Sequence, residues 1–184
     1  MKQFIVRHGY AGEPIANKET LDPTDMARQL KPVGRAALNN LAQYLKDNGL
    51  VPLSISASPI VRCQQSAAVL AKAFYGDARA FTTDPNLSIR SPLEQVVIAK
   101  ARDPKCTRPM LVTHSDDIAR LSWLNGEDPD EGQPDPTTTA ELRLLSVSRD
   151  DFSWKEKLRV RPSDLFGQGY DDDGAIDLFG HAQK

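Results

Sequence analysis

Cysteine is scarce in this chain, and neither sign of charge is in excess. The two cysteines, Cys63 and Cys106, lie far apart and match no metal-binding spacing. We expect free thiols in a reducing compartment, with a single disulfide as the alternative. The formal net charge of −2 at pH 7 provides no basic surplus for nucleic acid and no polybasic helix for a membrane. Neither is therefore an expected partner.

Long hydrophobic runs are also missing. No apolar segment approaches the length of a membrane-spanning helix. The apolar run near the start is short and ends at Arg7, which is not the pattern of a signal peptide. A chain of 184 residues suits one globular domain with a sizeable core. We therefore expect a soluble protein of the cytoplasm.

Short apolar runs and helical patterns alternate along most of the chain. Strands that alternate with helices predict an α/β fold, a three-layer sandwich in which helices flank a largely parallel central sheet. The predicted strands are Gln3–Val6, Leu53–Ala57, Met110–Thr113 and Leu142–Val147, with another around Leu158 and Val160. The predicted helices are centred on Leu38–Leu45, Ala67–Phe74, Leu93–Ala101 and Ile118–Leu124.

Two segments lack this alternation. Gly126–Thr139 is acidic and rich in proline, which predicts a loop. Ser163–Lys184 contains glycines, a run of aspartates and no apolar periodicity, which predicts a poorly ordered tail with at most one docking turn. The predicted domain therefore spans residues 1–162.

Polar residues of types that bind anions or catalyse reactions follow the first three core strands. In an open α/β sheet, ligands bind outside the carboxyl ends of the parallel strands. Two of these segments also lead into helices, whose N-terminal N–H groups attract anions. Two arginines and two histidines at one edge predict a site for a dianion, most simply a phosphate. The residues are Arg7, His8 and Gly9 after the first strand, Ser58 and Arg62 after the second, and His114, Ser115 and Asp116 after the third.

These residue types suit phosphoryl transfer. Arginine presents a fork of donors that matches phosphate oxygens, and a neutral imidazole is a good nucleophile near pH 7. We expect one histidine to attack phosphorus, with no metal or other cofactor. Gly9 would let the backbone turn and approach closely, and Ser58 and Ser115 could donate hydrogen bonds to phosphate. A serine at such a turn is equally a helix cap, so each residue alone has a structural explanation.

Several motifs in combination resemble those of the histidine phosphatase superfamily, which has the phosphoglycerate mutase-like fold. They are "VRHG", "LKPVGRAALNNLAQYL", "SASPIVRCQQSA" and "LVTHS", and together they span about residues 1–147. The short "RHGYA" opening is most similar to the small bacterial phosphohistidine phosphatase branch. The resemblance implies that His8 is the phosphorylated nucleophile, and that Arg7, Arg62 and His114 form the phosphate pocket.

The chain departs from that family at the residue that would protonate the leaving group. Many members have a glutamate between the second arginine and the second histidine, where this chain offers Asp84 and Glu94 outside a convincing motif. The phytase-like branch has an aspartate directly after the second histidine, where this chain has Ser115 and then Asp116. Asp84, Glu94 and Asp116 therefore remain three candidate general acids.

The general acid bears on the substrate. An alkoxide leaving group is very basic and needs a proton, whereas a protonated imidazole leaves phosphorus readily. A site without a clear acid favours a phosphorylated protein, through phosphohistidine, over a small phosphorylated molecule. The alternatives are a phosphatase of small phosphoesters and a non-catalytic module that binds phosphorylated proteins.

Overall fold

One mixed sheet organises the structure, a computed structural model that describes residues 1–14, 19–124 and 138–166. Its strands lie in the order β3-β2-β4-β1-β5-β6, and the predicted strands are all among them. The strands are β1 (Lys2–Arg7), β2 (Ser54–Ala57), β3 (Thr82–Thr83), β4 (Pro109–Thr113), β5 (Leu142–Val147) and β6 (Trp154–Val160).

Helices cover both faces of this sheet, as the alternation of patterns predicts. The two longest helices end at glycines: Gly49 (φ 66°) follows the first, and Gly76 (φ 79°) caps the second in the left-handed region that favours glycine. The helices are α1 (Pro23–Met26), α2 (Pro32–Asp47), α3 (Val61–Tyr75), α4 (Leu93–Arg102), α5 (Ser115–Leu124) and α6 (Pro162–Phe166), with a 3₁₀ turn at Pro85–Leu87.

The sheet is parallel at its centre and antiparallel at one side. β1 and β4 run parallel, as do β2 and β4 and also β2 and β3, whereas β5 runs antiparallel to both β1 and β6. The register pairs Arg7 with Thr113 and Ala57 with Val112. The carboxyl ends of β1, β2 and β4 therefore lie side by side, which confirms the predicted fold class and brings the polar segments that follow them together.

Side chains of β1 point alternately into two hydrophobic cores. Phe4 and Val6 pack with α2 and α3 on one face, and Ile5 packs with α4 and α5 on the other. All five residues of β4 are buried, because a central parallel strand covered on both faces has no solvent side. Burial on both faces holds the ends of these strands in fixed positions.

The predicted tail begins with a helix. α6 includes Ser163, and Leu165 packs against the core that contains α2 and α3. Described secondary structure therefore continues to residue 166, and the domain boundary at residue 162 stays a prediction. Residues 167–184 and most of the predicted loop, up to residue 137, lie outside the described residues. In the part of the chain that the structure describes, no helix has the length and apolar character needed to cross a membrane.

Candidate active site

Backbone hydrogen bonds hold the three strand ends in line. The N–H of His8 donates to the carbonyl of Thr113 at 3.1 Å, and the N–H of Ser58 donates to the carbonyl of Val112 at 3.0 Å. The segments that carry the predicted site residues thus continue the sheet pairing by one residue. Their side chains therefore meet with little freedom to move apart.

Four of the predicted residues converge in the interior. His8 and His114 are each 1% exposed and Arg62 is fully buried, whereas the side chain of Arg7 is 19% exposed. The two imidazole rings have their centroids 5.5 Å apart. Arg62 lies between them, with its Nε donating to His8 Nε2 at 3.0 Å and its Nη2 lying 3.5 Å from His114 Nδ1. We call Arg7, His8, Arg62 and His114 the anion cluster.

The tautomer of His8 is set by its own backbone. His8 Nδ1 lies 2.7 Å from the carbonyl oxygen of Gly9, which can only accept, so Nδ1 carries the proton. Burial lowers the pKa of His8, although the carboxylate of Glu19 opposes that shift. In the neutral ring the lone pair is therefore on Nε2, the nitrogen that faces Arg62.

His114 is also held in a defined orientation. Its Nε2 lies 3.0 Å from the hydroxyl oxygen of Ser58, and its Nδ1 lies 3.1 Å from Glu19 Oε2. Burial lowers the pKa of His114 to about 4, so the ring is neutral near pH 7. With Ser58 donating to Nε2, the Nδ1–H of His114 points towards the centre of the anion cluster.

Glu19 was not predicted, and its carboxylate lies at that centre. Oε1 is 2.5 Å from His8 Nε2 and 3.3 Å from Arg7 Nη2, and Oε2 is 3.6 Å from Arg62 Nη2. Burial alone would raise the pKa of this carboxyl. The contacts with His8 and His114 and the positive charge of Arg7 outweigh burial and hold the pKa of Glu19 well below its usual range.

Arg62 is anchored by a second buried acid, Asp25. Arg62 Nη1 donates to the carbonyl of Asp25 at 2.9 Å, and Nη2 lies 3.4 Å from its Oδ2. Asp25 also accepts from Arg28 Nε at 2.8 Å and from the N–H of Thr20 at 3.0 Å. This buried network fixes the direction of the Arg62 side chain, so its Nε meets His8.

Gly9 has a packing role that explains its residue type. A Cβ built on Gly9 would lie 2.7 Å from the carbonyl oxygen of Gly34 in α2, and one on Gly34 would lie 2.5 Å from the Tyr10 nitrogen. The N–H of Gly9 donates to Ser66 Oγ at 3.0 Å, and Ser66 Oγ donates to the carbonyl of Arg62 at 2.7 Å. The close approach expected at Gly9 is thus made to α2, and its role in substrate binding stays a prediction.

Among the described residues, none of the three candidate acids makes a hydrogen bond or ion pair with the anion cluster. The carboxylate of Asp84 accepts from the N–H of Asn86 at 3.0 Å and caps the 3₁₀ turn, and Glu94 lies 4.0 Å from Arg120. Asp116 is exposed, and the hydroxyl of Ser115 donates to it at 3.3 Å. Their roles, and that of Ser115 with phosphate, remain predictions.

Asp117 adds a further candidate that sequence reasoning missed. It is 2% exposed, and neither carboxylate oxygen has a hydrogen bond of good geometry among the described residues. Burial, followed by the charge of Asp116, raises the pKa of Asp117 to about 7. The backbone of Arg90 and the charge of Arg120 partly oppose this rise in its pKa. A carboxyl that titrates near neutrality is suited to acid–base chemistry, so Asp117 belongs in any comparison of candidate acids.

The other missed residues carried little or no sequence signal. Glu19 and Asp25 lie in a segment without a strand or helix pattern, so nothing local placed them beside the strand ends. Ser66 did carry a signal, because it follows Arg62 by four residues and therefore shares its helix face.

Two histidines and a glutamate could also bind a metal ion, but the two arginine charges beside them oppose a cation. Among the described residues, His8, Glu19 and His114 have potential ligand atoms within 4.8 Å of one another. The guanidinium groups of Arg7 and Arg62 contact the same carboxylate, so a cation there would face two fixed positive charges. The site is electrostatically suited to an anion.

A cavity of about 210 Å³ leads to the cluster, with Arg7, His8, Glu19 and Thr139 in its lining. Thr139 lies just before β5, and the N–H of the next residue, Ala140, donates to the carbonyl of His8 at 3.0 Å. The antiparallel side of the sheet therefore contributes one wall of the entrance.

Comparisons with known proteins identify the fold. No protein-family model and no curated protein matches the chain. The protein histidine phosphatase SixA complexed with tungstate matches with a TM-score of 0.69 and 18% identity, covering 90% of this chain and 99% of that one. SixA from Agrobacterium tumefaciens matches with a TM-score of 0.64 and 22% identity, covering 88% of this chain and 97% of that one. A mycobacterial glucosyl-3-phosphoglycerate phosphatase matches with a TM-score of 0.55 and 17% identity, covering 85% of this chain and 97% of that one. The chain has the fold of these phosphatases.

Proposed function

We propose that this protein is a metal-independent phosphatase of the histidine phosphatase superfamily, with His8 as the nucleophile. The observation that carries the proposal is the hydrogen bond from His8 Nδ1 to the Gly9 carbonyl. That bond leaves the Nε2 lone pair directed at the place where Arg7, Arg62 and His114 converge. A nucleophile surrounded by fixed donors is the arrangement that phosphoryl transfer requires.

In the first step, His8 Nε2 attacks phosphorus and forms a P–N bond while the bond to the leaving group breaks. The leaving group takes a proton from a carboxylic acid or from water. Arg7 and Arg62 neutralise the equatorial oxygens, and the Nδ1–H of His114 donates to one of them. In the second step, water attacks phosphorus and the P–N bond breaks, with its electron pair returning to His8 Nε2. The proton lost by the attacking water passes to solvent, and phosphate leaves the free enzyme.

The fold supports this assignment, because one of the matching proteins is a protein histidine phosphatase complexed with tungstate. Tungstate is a tetrahedral oxyanion like phosphate. The electrostatic character of the anion cluster, with two guanidinium groups and two neutral imidazoles, agrees with binding of the same kind of ion here.

A phosphorylated protein, carrying phosphohistidine, is the substrate we favour. Asp84, Glu94 and Asp116 lie outside contact with the anion cluster. Without one of these three carboxyls at the leaving group, the site suits substrates whose leaving group is already good, and a protonated imidazole is such a group. The second candidate is a small phosphoester, because the mycobacterial enzyme with the same fold is a glucosyl-3-phosphoglycerate phosphatase. The free Cys63 and Cys106 are consistent with a cytoplasmic protein.

Turnover of para-nitrophenyl phosphate in excess EDTA tests the proposed activity. The aryl leaving group needs little acid, so we expect multiple turnovers, unchanged by EDTA, because the arginines supply the positive charge that a metal would bring. The control is the same assay after addition of Mg²⁺, Mn²⁺ or Zn²⁺, which should not stimulate it. Binding of phosphate without any turnover would favour the non-catalytic module, and activity that depends on a divalent ion would contradict the mechanism.

A leaving-group comparison tests the substrate class. The variants Asp84→Asn, Glu94→Gln, Asp116→Asn and Asp117→Asn are each measured on a phosphohistidine peptide, an aryl phosphate and an alkyl phosphate. A general acid contributes about 10²–10⁴-fold, mainly where the leaving group is basic. We expect no variant to slow the alkyl ester selectively, and the wild type to be already slow on it. A selective loss in one variant would identify the acid and favour the small phosphoester instead.

A further inference from the structure

The carboxylate of Glu19 has the contacts that a bound phosphate would need. Its two oxygens lie 2.5–3.6 Å from nitrogen atoms of all four residues of the anion cluster. A carboxylate and a phosphate share the planar pair of acceptor oxygens that an arginine fork recognises. The chain thus supplies an anion of its own to the site.

Glu19 also covers the nucleophilic nitrogen. Its Oε1 is 2.5 Å from His8 Nε2, the atom that would attack phosphorus. If Nε2 carries a proton, the contact is an ion pair and the lone pair is not available. If Nε2 is unprotonated, two lone pairs face each other and the contact is repulsive. In either state His8 cannot react until the carboxylate of Glu19 moves away.

The carboxylate of Glu19 occupies the place where a phosphate bound by the same residues would lie. Glu19 is 6% exposed, and His8, Arg62 and His114 are each at most 1% exposed. A phosphate in contact with these three residues would overlap the position of the carboxylate. Two anions side by side would also repel each other in a site of low dielectric constant.

We propose that Glu19 is an internal competitor for the phosphate site, displaced by the substrate phosphate before His8 can react. This inference rests on the proposed function, because it concerns the same anion cluster. A dianion with three or four oxygens can contact all four residues and carries more charge than a carboxylate. Displacement therefore favours phosphate over free carboxylates and other monoanions, and Glu19 contributes to selectivity.

The test compares Glu19→Gln and Glu19→Ala with the wild type. Gln keeps the size of the side chain but removes the charge, and Ala removes the competing group. The measurements are the inhibition constant of vanadate against para-nitrophenyl phosphate and the calorimetric dissociation constant of inorganic phosphate. We expect both anions to bind at least about tenfold more tightly to both variants, a gain of about 1.4 kcal/mol.

Glu13→Gln is the matched control. It removes the same charge from a residue of the same cavity lining, but the carboxylate of Glu13 accepts from the hydroxyl of Tyr10 at 2.9 Å. The affinity of this variant for vanadate should equal that of the wild type within about a factor of two. If Glu13→Gln gained as much affinity as the Glu19 variants, the effect would be long-range charge, and the proposal would be wrong.

The remaining outcomes separate this proposal from the proposed function. If the wild type hydrolyses the aryl phosphate but the Glu19 variants bind vanadate no more tightly, Glu19 is not a competitor and the phosphatase assignment stands. If neither the wild type nor the variants bind phosphate or turn over, both proposals fail. If Glu19→Ala folds only when phosphate is present, as its melting curve would show, the phosphate is replacing the carboxylate as the proposal requires.

Discussion

Replacing His8 with alanine should lower turnover of para-nitrophenyl phosphate by on the order of 10⁴-fold or more, because the variant has no group that can form the covalent intermediate. The fold should survive, since the backbone bonds of residue 8 to Thr113 and Ala140 do not involve the imidazole. A melting temperature close to that of the wild type would show that the loss is chemical. A His8 variant with full activity would disprove the mechanism.

Trapping of the intermediate provides the second readout for His8. When the reaction with labelled substrate is quenched rapidly, a labelled phosphoryl group that is labile in acid and stable in base should be found on the wild-type protein. It should be absent from His8→Ala. The chain has three histidines, so His181→Asn is a matched control for labelling at another imidazole. This control should keep both activity and label. Label that persisted in His8→Ala would place the intermediate on a different residue.

Replacing Arg62 with lysine should lower kcat/KM by about 10²–10³-fold, the usual loss when one donor to a developing charge is removed. Lysine keeps the positive charge but cannot donate to His8 Nε2 and to the carbonyl of Asp25 at the same time, as Arg62 does. Arg120→Lys is the control, because Arg120 is exposed and only distantly paired with Glu94. Its activity and stability should match the wild type.

Replacing Arg62 with alanine should also destabilise the fold. The change removes one of the two arginine partners of the buried Asp25 carboxylate, and because Arg28 still pairs with Asp25 the cost should lie at or below the low end of the about 3–5 kcal/mol typical of a broken buried ion pair. Chemical denaturation of Arg62→Ala and of the double variant Arg62→Ala, Asp25→Asn separates the two roles. The double variant should regain part of the lost free energy of unfolding and none of the activity. Recovery of activity in the double variant would mean that Arg62 does not contact the substrate.

Much of the fold and part of the site could be predicted from the sequence, because both depend on local patterns. The strands and the long helices follow from apolar periodicity and from glycines at helix ends. The convergence of Arg7, His8, Arg62 and His114 follows from the rule that ligands bind outside the carboxyl ends of the strands in a parallel sheet. The short helix α6 leaves no periodic signal in the sequence, because it is five residues long and packs on the core through Leu165.

The amino-acid sequence by itself determined the strand ends and therefore which arginines and histidines meet, since each of these residues ends a strand, directly follows one or begins a helix. Only the tertiary structure decided which side chain lies at the centre of these arginines and histidines. Glu19 and Asp25 come from a segment without periodicity, and their positions depend on tertiary contacts with Arg62 and the two histidines. The lowered pKa values of His8 and His114 likewise arise from burial, a property of the packed chain that no local pattern encodes.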